Sequence, residues 1–174
     1  MKPGKTARGR SRGQMSEAFV TAALVSVSGG LQDAYTYIQR GEVFANAQTG
    51  NIVLLSQSLF AGDWLRALRY LVPLLSFGAG VAMAEGIRWH STGEGKIHWR
   101  QWVLLAEITL LFLVGFLPRG LDLAANAVVS LACAMQVQAF RKVEGNAFAS
   151  TMCIGNLRSG VEALCAYRRA GDRA

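Results

Sequence analysis

The sequence is short of charge, and the charge it has is distributed unlike that of a soluble protein. Asp, Glu, Lys and Arg make up 17% of 174 residues, against about a quarter in an ordinary soluble domain. Between Ala18 and Arg40 the sole carboxylate or base is Asp33, and between Gln101 and Pro118 it is Glu107. The stretch from Val103 to Leu117 also lacks the polar face that a soluble helix of that length presents every 3.6 residues. These absences argue against a soluble helical bundle and for hydrocarbon as the solvent.

Cysteine is scarce too. Cys133, Cys153 and Cys165 are odd in number, fall in apolar stretches and match no metal-site spacing, so they read as small buried hydrophobes. His90 and His98 share a loop without a third ligand. There is no Ser/His/Asp set, no HExxH, no phosphate loop and no dinucleotide fingerprint. Gly78-Ala-Gly80 lies within an apolar stretch with no strand before it, and reads as helix packing. Neither an enzyme, a metal site nor a cofactor is expected.

What the chain does have is hydrophobic residues, 52% of the total, and a net charge of +7. In a soluble protein that charge would raise nucleic-acid binding. Here Lys2, Lys5, Arg8, Arg10 and Arg12 crowd the start among Gly and Ser, with no aromatics. Residues 1–15 therefore read as a disordered basic tail beside anionic lipid headgroups, with no nucleic-acid partner. A secretory signal fits less well, because the cleavage-like Ala45-Asn-Ala47 lies too far along. Met15 is an alternative start, and would remove the tail.

Residues 16–169 predict a single all-α transmembrane domain, a polytopic helical bundle of about six spans, followed by a polar end, residues 170–174. The spans run roughly over 17–38, 43–61, 67–87, 101–117, 121–140 and 146–167. A helix of about 20 residues crosses a ~30 Å hydrocarbon core. With the N-terminus in the cytoplasm, the inner segments hold the tail cations, Arg66, Arg69, Arg119, Arg168, Arg169 and Arg173. They outnumber Arg40, Arg88, Lys96, Arg100, Arg141 and Lys142 outside. Both termini are thus expected in the cytoplasm, although a start at Met15 would erase the bias.

A shift that lays Thr49-Gly50-Asn51 on Ile154-Gly155-Asn156 also lays the first two spans on the fifth and sixth. It pairs Ala34 with Ala139, Leu59 with Leu164 and Ala61 with Ala166. An offset of four spans predicts a parallel internal repeat. The second copy stops where a counterpart of the third span should begin, which implies an asymmetric family or a chain cut short.

The second and sixth spans are the polar ones. Thr49, Asn51 and Gln57 stand in one, Asn156, Arg158 and Glu162 in the other, and Gly50 and Gly155 directly precede the asparagines. Amides and charges in hydrocarbon need partners or water, so they should face the bundle interior. Arg158 and Glu162, spaced i and i+4, read as a gate or substrate-binding pair, or as a structural pair near the cytoplasm. Asp33, near the end of the first span, reads as a cation or proton site, or as a helix-terminal residue at the interface. Glu107 carries the same two readings. Glu85 and Arg88 read as a surface pair.

With Gly30-Leu-Gln-Asp33, Val43-Phe-Ala-Asn-Ala-Gln-Thr-Gly-Asn51 and Thr151-Met-Cys-Ile-Gly-Asn-Leu-Arg158 in view, the chain resembles the YoaK-like family. These are uncharacterised bacterial inner-membrane proteins. The resemblance runs from about Met15 to Arg169 and implies further membrane sequence beyond this chain's end. It implies no activity. Two functions stay open: a small-solute or ion transporter or channel with a polar site between the second and sixth spans, or a membrane scaffold whose polar residues hold helices together.

Overall fold

The computed structural model describes residues 18–91, 98–143, 146–148, 150 and 153–171; the expected basic tail and residues 172–174 lie outside this set. Six helices account for most of it: α1 (Phe19–Gln39), α2 (Gln48–Phe60), α3 (Trp64–His90), α4 (Trp99–Val114), α5 (Asp122–Ala139) and α6 (Cys153–Gly171). A 3₁₀ turn, Arg119–Leu121, leads into α5, and a two-residue hairpin pairs β1 (Lys142–Val143) with β2 (Asn146–Ala147).

Local chemistry sets several of these boundaries. Asp63 caps α3 by accepting from the Arg66 amide at 3.0 Å. His98 opens α4 in a capping box with Gln101. Gly41 and Glu42 both take positive φ and reverse the chain after α1.

The hub is α5, which buries Ala125, Asn126, Val129, Ser130, the run Ala132 to Gln136, and Ala139. It runs parallel to α3: the Gly80 backbone sits against Leu131 and Ala134, and Glu85 accepts a hydrogen bond from Gln138 further along. A Cβ on Gly80 would lie 2.3 Å from the Leu131 carbonyl oxygen, so glycine is what lets the two backbones meet. Against α4 it is antiparallel, with Val103 near Met135 and Ala139, and Val114 near Ala125 and Val129. Against α1 it is antiparallel again: Gln136 bonds the Val25 carbonyl, Cys133 bonds Gln32, and Asp122 bonds Arg40.

Two expectations need correction here. The second expected span is not a helix throughout. Residues 43–47 are non-helical, and α2 has 13 residues, about 20 Å of helix, too short for a ~30 Å core. Moreover, Asn46 lies beside Gly29 and Asp33, well back along α1. From there α2 returns and joins α3 through Ala61–Asp63. The segment therefore enters and leaves at one end of the bundle. It is a re-entrant segment. As a consequence, two full-length helices, α3 and α4, separate α1 from α5, and α1 and α5 point in opposite directions. Any duplication relating them is inverted, not parallel.

The sixth expected span also differs. Its start at Asn146 falls in the hairpin, and the helix begins only at Cys153. From Ile154 to Arg169 nearly every side chain is exposed, and α6 enters none of the main interhelical packings.

The distribution of polarity is inside out. Phe19, Val20, Leu24, Val27 and Leu31 of α1 are exposed, as are Leu105, Ile108, Phe112 and Leu113 of α4. Gln32, Thr36, Glu107, Asn126, Ser130 and Gln136 are buried. Water would penalise such a surface, whereas lipid favours it and drives the polar groups inward. By length and composition, α3 and the segment Arg119–Ala139 can each cross a membrane.

Candidate functional site

The re-entrant segment is held by its own asparagines. Asn51, fully buried, accepts from the Phe44 amide at 3.0 Å and donates to the Phe44 carbonyl at 2.6 Å. It also donates to the Gln48 side chain at 2.9 Å. One amide side chain thus pairs both polar groups of a non-helical residue, which hydrocarbon would otherwise leave unsatisfied. Asn46 reaches across to donate to the Gly29 carbonyl at 2.9 Å, and its own amide donates to Asp33 Oδ1 at 2.7 Å. The Phe44 ring stacks on Tyr37 at 4.8 Å and covers Gly50, where a Cβ would lie 2.9 Å from the ring.

Asp33 and Gln32 are adjacent in sequence and divide two tasks. Asp33 holds the loop. Gln32 faces α4 and α5, donating to Ser28 at 2.9 Å and to Glu107 Oε1 at 3.4 Å, and accepting from the Cys133 thiol. Glu107 is 3% exposed, and its Oε2 has no hydrogen-bond partner among the described residues. Asn46 Oδ1, Ser130 Oγ and Gln136 Oε1 are likewise buried and unpartnered among them. The Gln136 amide nitrogen donates to the Val25 carbonyl at 2.8 Å and to Ser150 at 3.2 Å.

A cavity of about 690 Å³ lies between α1 and α4, over α5. Ser28, Glu107 and Gln136 supply its polar lining, Leu24, Val25, Leu104, Ile108 and Leu111 its apolar walls, with His98 and Arg100 where α4 begins. At the opposite end of the bundle, Arg40 ties α1 to the α4–α5 turn. It bonds Tyr35, the Leu117 and Pro118 carbonyls, and Asp122 at 3.0 Å. The Asp122 hydrogen bond raises the guanidinium above its already high ordinary pKa, so Arg40 remains charged.

Of the residues singled out in the sequence, the structure brings Asp33, Gly50 and Asn51 together. Thr49 is beside them but exposed, and Gln57 is exposed towards the other end of α2. Gly155, Arg158 and Glu162 are exposed on α6, and Asn156 is half-buried there; none is packed against α2. A site between the second and sixth spans is thus not assembled among the described residues. α6 does carry an apolar stripe, Ile154, Leu157, Val161 and Leu164, but these side chains are exposed rather than docked. Cys133 is buried, as expected, but its thiol is a hydrogen-bond donor; Cys165 is exposed. Gln32, Ser130 and Gln136 were not foreseen, although the i, i+3 spacing of Ser130, Cys133 and Gln136 on an apolar helix was the signal.

Over residues 21–174 the chain matches the family described as "Protein of unknown function (DUF1275)". The chain belongs to this family. It is also 26% identical over 147 residues to the UPF0700 transmembrane protein YoaK of Bacillus subtilis (strain 168). That alignment covers 80% of this chain but 64% of the relative, so the chain spans less than two-thirds of that protein's length. No solved structure matches the chain. Family membership, the transmembrane relative, the all-helical fold and the inverted polarity agree: this is a YoaK-like membrane protein.

Proposed function

We propose that this protein is a transporter or channel for a small solute or ion, with its pathway in the polar interior between α1, α4, α5 and the re-entrant segment. The observation carrying the reading is the set of buried oxygens on Asn46, Glu107, Ser130 and Gln136 that have no partner among the described residues. Such groups are costly in hydrocarbon and mark solute routes. Short polar segments that dip into the membrane in corresponding parts of two inverted halves are a transporter pattern. In support, Cys153, where α6 begins, falls on Gln48, where α2 begins, under the shift that aligns Asn156 with Asn51. Ser150, bonded to Gln136, occupies the stretch corresponding to the re-entrant loop.

In this reading α1, α3, α4 and α5 cross the bilayer, and the 43–60 segment and α6 dip in from opposite faces. It replaces a six-span arrangement. Arg88, Arg100, Arg141 and Lys142 then share the face of the N-terminus, whereas Arg66, Arg69 and Arg119 lie opposite, with Arg40 neutralised by Asp122. The positive-inside rule places both termini in the cytoplasm, even for a start at Met15, and the membrane is the bacterial plasma membrane. Thr49 lies along the pathway near its outer side, and Arg158 and Glu162 stand on the cytoplasmic side.

The second reading, a scaffold, is favoured by Asp33 and Asn51, whose hydrogen bonds hold backbone and could serve structure alone. Cysteine accessibility separates the two. Cysteines replacing Ser28, Thr49 and Ser130, one at a time, should react with water-soluble thiol reagents from at least one face. Closure of all of them from both faces removes the basis for a pathway.

A further inference from the structure

Where α3 ends, α4 begins and α5 passes into the hairpin, four cations converge on one cavity of about 450 Å³. Arg88, Arg100, Arg141 and Lys142 line it, with Trp99, Gln138 and two alanines. No carboxylate lines it among the described residues. Glu85 lies beside it and is engaged by Arg88 at 3.4 Å and by Gln138. Trp99 holds two of the cations, because the Arg88 and Arg100 guanidinium carbons lie 5.7 Å and 5.6 Å from its ring centre. The hairpin presents the other two. Lys142 pairs with Ala147 across it, and the Phe148 amide donates to the Arg141 carbonyl at 2.9 Å. Like charges gathered from three parts of the chain repel one another, and an anion between them relieves that repulsion.

We propose that this cavity binds an anionic phospholipid, with the phosphodiester group of the lipid seated among the four cations. Guanidinium forks match the paired oxygens of a phosphate, and basic pockets between helix ends are a form that acidic-headgroup sites take. The level of the site favours lipid as the source of the phosphate. Three of the four tryptophans, Trp89, Trp99 and Trp102, stand at this end of the bundle, with Trp89 and Trp102 exposed, as in the aromatic belt at a membrane–water interface. Along α4 the exposed Trp102 and Leu105 follow Arg100 within two turns, so the charged level gives way at once to the lipid-facing surface. The inference concerns lipid recognition and stands whether or not the interior conducts a solute.

The test is native mass spectrometry of the full chain titrated in detergent with phosphatidylglycerol, with phosphatidylcholine and glycerol 3-phosphate as comparisons. Phosphatidylglycerol should saturate, and should bind about tenfold or more tightly than phosphatidylcholine, whose choline cancels the phosphate charge. The double variant Arg141→Gln, Lys142→Gln alters two exposed side chains and should lower that affinity about tenfold or more, at roughly fivefold for each cation near the surface. The double variant Arg66→Gln, Arg69→Gln, at the other end of α3 and also exposed, should leave it unchanged. Lys142→Glu should weaken binding more than Lys142→Gln does, a graded response that misfolding would not produce. The basic tail is present in every protein, so the differences belong to the cavity. The proposal is overturned if the two lipids bind alike, or if glycerol 3-phosphate binds as tightly as the lipid, which would make this a site for a soluble anion. It is overturned too if the 141/142 variant binds like the parent, or if the 66/69 variant loses as much, which would reduce the attraction to total charge.

Discussion

Asn51 does with one side chain what a strand partner does with a backbone: it satisfies both the N–H and the C=O of Phe44. Removing it leaves those groups unpaired in a buried place, at about 1–3 kcal/mol each. Asn51→Ala should therefore lower stability by about 2–4 kcal/mol, measured as the thermal midpoint in detergent, while Asn51→Gln, one methylene too long, should rescue little. Gly50→Ala tests the neighbouring contact. A Cβ there meets the Phe44 ring at 2.9 Å, so the ring must shift off Tyr37. The expected loss is about 1–2 kcal/mol, reduced when Phe44→Leu is already present, and a double-mutant cycle reads the coupling. That Asp33, Gly50 and Asn51 belong to one structure was legible, because amides and acids in an apolar sequence must meet partners. Their roles were not. Their partners are backbone groups of a loop, and a sequence does not display which backbone groups lack a hydrogen bond.

At the scale of elements, the α3–α5 contact and the re-entrant segment differ in how openly they are written. Gly78-Ala-Gly80 within an apolar run signals close helix packing, and Gly80 indeed meets the Leu131 backbone and Ala134. Backbone atoms cannot rotate aside, so Gly80→Val should destabilise by about 2–3 kcal/mol or more. Ala134→Gly should recover only part of that, read again as thermal midpoints. The re-entrant segment was concealed by Val43, Phe44 and Ala45, which look like helix but in fact supply apolar packing for a loop: Val43 and Ala45 are fully buried. Hydropathy cannot tell a buried extended run from a buried helix. The available clue was Gly41 before Asn46 and Asn51, a turn glycine followed by two amides able to bond a freed backbone. Counting this segment as a crossing reverses the expected direction of every element after it.

For the whole molecule, apolar residues outside and polar residues within follow from a single cause, a solvent that cannot hydrogen-bond. The membrane assignment needed only composition and was legible from the start. The orientation of the halves needed the course of residues 43–60, which composition does not contain. The account therefore turns on whether α2 crosses. The most direct measurement places single cysteines at Glu42, Asp63 and Ser91 of a chain lacking Cys133, Cys153 and Cys165, and labels intact cells with a membrane-impermeant maleimide. Positions 42 and 63 should react together from the outer face, and position 91 only after the membrane is opened. Labelling of 42 and 63 from opposite faces would mean that the segment between them spans the bilayer, and would contradict the re-entrant geometry and the inverted arrangement built on it.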